Sequence, residues 1–302
     1  MSLNTAHFEP LPTLDTSVFV SVIKSERVGD RLALTRQLCG LVNDPNTSSA
    51  DRKAVMPCLV RLACDVDRDV RSIIAKELVA CEHLSVDLIF AVVADEDDIA
   101  LPFLAACPSV DATVMMAVLS VGDQKRCTII AKRADVSASV VKKIMNDGTE
   151  DTVLALLENS AVRLGAGYCR TAYNKFHTSH RICSALLKLP HLPAEIALVH
   201  NQRKANEMRK AASLQGWVAD SRSDDYISDQ EETNALRIVA GVEARELEKI
   251  VALMSQRSML TTSLLLRAGI HGQLSFFEWA LAYLANVSMR RVRAATQKMS
   301  SR

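Results

Sequence analysis

The sequence predicts an all-α protein: an α-solenoid of short helical hairpins repeating about every 26 residues, followed by a C-terminal helical subdomain. Three observations carry that expectation. The 302 residues include only 10 glycines and 8 prolines, too few turn formers for a sandwich or barrel. Apolar residues make up 49% of the chain and recur at spacings of three and four, the period of a helix with one buried face. The third is self-similarity at a fixed step, the mark of stacked repeats.

Residues 1–16 carry Pro10 and Pro12 and read as a loose N-terminal arm. Residues 30–41, 51–63 and 67–79 are amphipathic helical segments. The run Asp-Val-Arg-Ser-Ile-Ile-Ala at 69–75 is similar to the start of a HEAT-like helix. The repeat is clearest next. Residues 103–114 (Phe-Leu-Ala-Ala-Cys-Pro-Ser-Val-Asp-Ala-Thr-Val) align with 129–140 (Ile-Ile-Ala-Lys-Arg-Ala-Asp-Val-Ser-Ala-Ser-Val). The same step links Leu84, Val110, Val136 and Val162. Within one unit, 124–133 and 137–145 each place apolar residues on one helical face. Ser85 and Ser137 stand where an N-cap belongs, and Pro193 where a first-turn proline belongs. One such hairpin cannot bury its apolar face alone; neighbours in a stack cover one another. The units are shorter than HEAT or armadillo repeats, so each helix should have two to three turns.

The repeat region is expected to span 17–219. Residues 220–233 are polar and acidic, without core periodicity, and read as a linker or mobile loop able to dock on the basic section. The subdomain of 234–302 should contain helices at 235–255, 262–268, 276–285 and 289–297, with Ser275 and Glu278 as a capping box.

The residues 264–282 (Leu-Leu-Leu-Arg-Ala-Gly-Ile-His-Gly-Gln-Leu-Ser-Phe-Phe-Glu-Trp-Ala-Leu-Ala) and 284–294 (Leu-Ala-Asn-Val-Ser-Met-Arg-Arg-Val-Arg-Ala) carry a resemblance. They are similar to the tail of an uncharacterised alphaproteobacterial domain-of-unknown-function family, which places HEAT-like helical repeats ahead of that tail. The resemblance covers most of the chain, least in the first 60 residues. It implies the fold and supplies no activity or catalytic residue.

Composition narrows the function. Aromatics are 4% and the net charge is +1, which disfavours stacking platforms and whole-molecule polyanion binding. The eight cysteines form no C-x-x-C pair and sit among apolar neighbours, as free thiols in a reducing compartment do. No secretory signal or membrane-length apolar run is present. A cytoplasmic location follows. Nucleophile-elbow, P-loop, dinucleotide and zincin motifs are absent, so no catalytic residue, cofactor or metal is expected. His177, His180 and Cys183 have ligand-like spacing, but Thr178 and Ser179 read as a helix start that leaves His177 outside. Gly165 and Gly167 read as small residues allowing close helix contact, and Glu96, Asp97 and Asp98 as a charged helix N-terminus.

Charge is uneven along the chain. No lysine or arginine occurs between Glu77 and Gln124, whereas 125–219 is strongly basic. The function expected is a non-catalytic scaffold or adaptor that binds a protein partner with an acidic surface. The candidate residues are Lys132, Arg133, Lys142 and Lys143, with Arg203, Lys204, Arg209 and Lys210 in a second cluster. The alternative is nucleic-acid binding by the basic helices 202–210 and 289–298, the latter through Arg290, Arg291, Arg293 and Lys298, with Trp217 as a stacking ring. Charge segregation also leaves head-to-tail self-association open.

Overall fold

The computed structural model describes Leu14, residues 16–214 and residues 221–300, the side chains of 221, 222 and 297–300 excepted. Among the described residues there are eighteen α-helices and no strand. The chain divides into two compact units at 164/165.

Among the described residues of unit 1 there are ten helices: α1 (Ser17–Ile23), α2 (Val28–Asn43), α3 (Ser49–Leu62), α4 (Arg68–Glu77), α5 (Val86–Val93), α6 (Asp97–Ala106), α7 (Ala112–Val121), α8 (Gln124–Lys132), α9 (Ala138–Asp147) and α10 (Glu150–Leu157). Each even-numbered helix from α2 to α10 packs on the next even-numbered one; α1, α3 and α5 pack in the same way, as do α7 and α9. Helices α5, α7 and α9 start 26 residues apart behind the caps Ser85, Asp111 and Ser137, each accepting from the backbone N–H three residues on. The expected helices at 124–133 and 137–145 are therefore found as α8 and α9.

The 26-residue step is also a packing rule. Leu78, Leu104, Ile130 and Leu156 are all fully buried, and each such side chain contributes about 1.5–3 kcal/mol. Leu88, Val114 and Val140 follow the same step on the other helix of the pair. A polar ladder runs beside this core. The Cys107 thiol and the Arg133 and Asn159 side chains each donate to the carbonyl of the residue 26 positions earlier, at Cys81, Cys107 and Arg133. One position per unit thus ties its layer to the previous one.

Unit 2 holds α11 (Ala166–Phe176), α12 (His180–Leu187), α13 (Ala194–Leu214), α14 (Ser221–Ala240), α15 (Leu247–Gln256), α16 (Thr262–Ile270), α17 (Leu274–Leu284) and α18 (Met289–Ser300). Its main core joins Leu198 of α13 to Leu236, Val251, Met254, Leu264 and Phe276. Helices α13 and α14 pack closely, α14 touches α16, and α15 packs on α17.

Four local expectations are corrected here. The acidic stretch read as a linker at 220–233 is helix from Ser221 onward. Its apolar period is hidden because Glu231 and Glu232 occupy sheltered positions, where they meet Arg209 and Arg267 instead of a hydrocarbon wall. Residues 235–255 are not one helix: the chain breaks at 241–246 between α14 and α15. Ser275 lies inside α17, whose N-cap is Gln273, so Ser275 and Glu278 form no capping box; Glu278 accepts from Arg293 and Thr296 on α18 instead. Gly165 is the N-cap of α11, and a Cβ at Gly165 or Gly167 would meet nothing within 4 Å, so these glycines mark no close helix contact. The N-terminal arm lies outside the described residues apart from Leu14, whose N–H donates to Asp51, and Thr16.

Candidate functional site

The structure sorts the candidate cations by what they already hold. In unit 1, Lys132 ends α8 and Lys142 stands on α9; both are exposed and neither has an ion pair among the described residues. Lys143 pairs with Asp147 one turn on, at 2.7 Å. Arg133 is corrected from surface contact to internal strut. Its side chain is 4% exposed. It donates to the Leu104 carbonyl at 2.5 Å and the Cys107 carbonyl at 3.0 Å, at the C-terminal end of α6, and makes a two-pronged pair with Asp135. A cation is favourable there because helix C-terminal carbonyls lack intrahelical partners.

The acidic block of unit 1 is likewise committed. Asp97 and Asp98 occupy the first turn of α6, as a charged N-terminus should. Arg68 and Arg71 of α4 and Lys125 and Arg126 of α8 pair with Asp95, Glu96, Asp97 and Asp98. The Lys125 ammonium, through its hydrogen bond, holds Asp97 below the usual carboxylate range.

In unit 2, Arg203 and Lys204 share Glu207 on their own helix. Arg209 is claimed by α14, through Asp224 at 3.0 Å, Ser228 at 3.0 Å and Glu231 at 2.8 Å. Lys210 is exposed, without an ion pair among the described residues. Arg293 faces Glu278, and Arg290 and Arg291 are exposed. Trp217 and the Lys298 side chain lie outside the described residues.

Arg203 and Lys210 border a cleft of about 750 Å3 within unit 2. Tyr173 of α11 and Arg257, the C-cap of α15, also line it, with Asn174 and His177. The Gln202 amide donates to the Arg257 carbonyl at 2.9 Å and ties α13 to the end of α15. The Tyr173 hydroxyl is buried beside the Arg203 guanidinium and has no acceptor to donate to. Burial, with Cys183 nearby, pushes the phenol pKa up, and the Arg203 and Arg257 guanidiniums pull against that rise. The His200 ring meets Tyr173 edge-on at 6.2 Å. Burial first, then Lys204 and Arg203, push its pKa down. A positively charged, partly sheltered cleft of this kind can hold an anionic group.

Sequence reasoning found Arg203 and Lys210 from their clustering. It missed Arg257 and Tyr173, which come from distant segments and share no motif; only the fold brings them together. It expected His177 outside a helix, and His177 is the C-cap of α11, with Ser179 capping α12. Among the described residues no group of three potential ligands could hold a metal ion, and no helix is long and apolar enough to cross a membrane.

A family model described as "Uncharacterised protein conserved in bacteria (DUF2336)" matches residues 99–301, from α6 to the end of α18. No curated protein and no solved structure matches the chain.

Proposed function

The chain belongs to this bacterial family of uncharacterised proteins, DUF2336, and with no activity to inherit from it we propose a non-catalytic docking protein, an adaptor for a partner with an acidic surface. The observation that carries the reading is the 26-residue ladder of unit 1, where core leucines and isoleucines and the side chains of Cys107, Arg133 and Asn159 repeat layer by layer. We read this as an α-solenoid of HEAT-like hairpins. Such stacks spend their regularity on presenting long helix-lined surfaces for other proteins. Lys132 and Lys142 are the exposed cations of the candidate surface that hold no ion pair among the described residues, and they favour an acidic partner.

The thiols fit the same reading. All eight cysteines are free, and burial pushes the Cys39 thiol up to about 12 and raises Cys107, Cys127 and Cys169. Thiols of that kind are packing groups rather than nucleophiles, and they suit a reducing, cytoplasmic setting. Nucleic acid is the less favoured partner, because phosphate contacts need uncommitted cations and Arg203, Lys204, Arg209 and Arg293 each face a carboxylate.

The test is quantitative capture by the full chain, with and without nuclease, comparing wild type with the double variant Lys132→Glu, Lys142→Glu. Acidic proteins held by wild type and released by the variant, regardless of nuclease, are expected. Equal retention by the variant overturns the reading, and capture abolished by nuclease transfers it to nucleic acid.

A further inference from the structure

We infer that the cleft of unit 2 is a binding site for a phosphate monoester, with Tyr173, Lys210 and Arg257 as its ligands. The inference stands apart from the docking surface of unit 1 and uses none of its residues. It begins from the Tyr173 hydroxyl. Tyr173 is 7% exposed, and its hydroxyl, beside the Arg203 guanidinium, has no acceptor to donate to. Buried polar groups are nearly always paired, so a buried hydroxyl that lines a cleft and lacks an acceptor calls for one. A phenol is a donor, and what it lacks here is an acceptor.

The surroundings specify the acceptor's charge. Lys210 and Arg257 bring two cations to the cleft; Arg203, which also lines it, is held by Glu207 and the His177 carbonyl, and Glu207, the one carboxylate there, is shared by Arg203 and Lys204. Lys210 and Arg257 have no ion pair among the described residues. The ligand is therefore anionic. The donors come from three elements: α11, α13 and the C-cap of α15. A carboxylate offers two oxygens in one plane. A phosphate monoester offers three terminal oxygens in a tetrahedral fan and a charge near −2, the better match for a phenol, an ammonium and a guanidinium carried by separate elements.

Size and lining set the rest. At about 750 Å3 the cleft falls within the usual range for small-molecule sites and has room for the group that carries the phosphate. The amides of Asn174 and Asn206 border it, and Tyr173 already has its ring against His200, so the walls offer hydrogen bonds rather than a free face for a nucleobase. The phosphate can come from a phosphorylated side chain of a protein or from a small phosphorylated metabolite, and the chemistry recognised is the same.

The experiment titrates the full chain by calorimetry at fixed ionic strength. The probes are a phosphoserine peptide of otherwise neutral composition, its unphosphorylated form, glycerol 3-phosphate and sulfate. Saturable binding of at least one phosphate ester, and none of the unphosphorylated peptide, is expected. Peptide-only binding assigns the phosphate to a protein partner; equal binding of glycerol 3-phosphate assigns it to a metabolite. Tyr173→Phe and Arg257→Gln should each weaken binding about tenfold or more, as loss of a hydrogen bond to a charged group does. Tyr173→Phe should also leave the ligand-free melting temperature unchanged or raise it, because the buried hydroxyl it removes has no acceptor. Arg257 is exposed and its replacement leaves the core intact. The inference is overturned if neither ester binds saturably, if sulfate binds as tightly as the esters, if both variants bind like wild type, or if Tyr173→Phe lowers the ligand-free melting temperature.

Discussion

Replacing Arg133 with methionine tests the layer-to-layer ladder directly. Methionine keeps most of the aliphatic stem and removes the five donors. The Leu104 carbonyl then loses its Arg133 donor in a buried position, at about 1–3 kcal/mol. The Cys107 carbonyl keeps a backbone donor from Val110 at 3.3 Å, so the lost charge-assisted bond there costs about 1.5 kcal/mol. The Asp135 pair adds little, since Asp135 is 53% exposed and solvent screens it. Relief from burying a guanidinium offsets part of the total. The expected net loss is about 3 kcal/mol, which for a unit of this size lowers the melting temperature by about 6–12 °C. The assay is scanning calorimetry with helical circular dichroism, and Lys132→Ala is the control. Lys132 is the neighbouring exposed cation, and its loss should stay within about 0.5 kcal/mol. A drop below about 2 °C for the Arg133 variant, or an equal drop for Lys132→Ala, refutes the strut assignment and returns Arg133 to the surface.

Two further outcomes follow from the same chemistry. Alkylation of the native chain with iodoacetamide, read by peptide mass spectrometry, should modify Cys64, which is exposed, well before Cys39, whose buried thiol is pushed up to about 12; equal rates would show that the α2 core opens freely. The second is a pH dependence. Arg133, chiefly through its hydrogen bond, holds the Asp135 carboxyl below its usual value of 3.8. A depressed folded-state pKa gives stability that is present above the unfolded value and lost as pH falls through the folded one. Asp135→Asn should therefore melt lower than wild type from pH 7 down to about pH 5, and the gap should close below about pH 4. A gap that persists unchanged near pH 2 contradicts the ion-pair account.

The parts of the fold legible in the sequence are those written in apolar period and short-range capping. The face of α9 could be read because Val140, Val141 and Ile144 recur at helical spacing and Ser137 stands at the cap. The first turn of α6 could be read because acids there satisfy a local electrostatic rule. Positions whose role is set by a distant segment could not. Arg133 looks like the neighbour of Lys132 in a basic pair, yet it turns inward to carbonyls nearly 30 residues back. Tyr173 and Arg257 are 84 positions apart in the numbering, and no local pattern announces that they share a cleft.

The charge blocks show the same limit in a way that bears on function. A run of acids followed by a run of bases suggests a strong field along the chain. In the folded state much of that segregation is spent on pairs between neighbouring helices: Asp95, Glu96, Asp97 and Asp98 against Arg68, Arg71, Lys125 and Arg126, and Asp224, Asp229, Glu231 and Glu232 against Arg209 and Arg267. The second group also disposes of a displaceable acidic strap at 220–232. Ile227 of that stretch is buried and Arg209 is bound along it, so removing residues 221–231 takes away about three turns of α14 and leaves Arg209 without its carboxylates instead of uncovering a ready surface. Charge available to a partner is therefore decided by the residues these pairs leave over. Lys132 and Lys142 in unit 1, and Lys210 and Arg257 in unit 2, are the cations on which the docking surface and the phosphate cleft each depend.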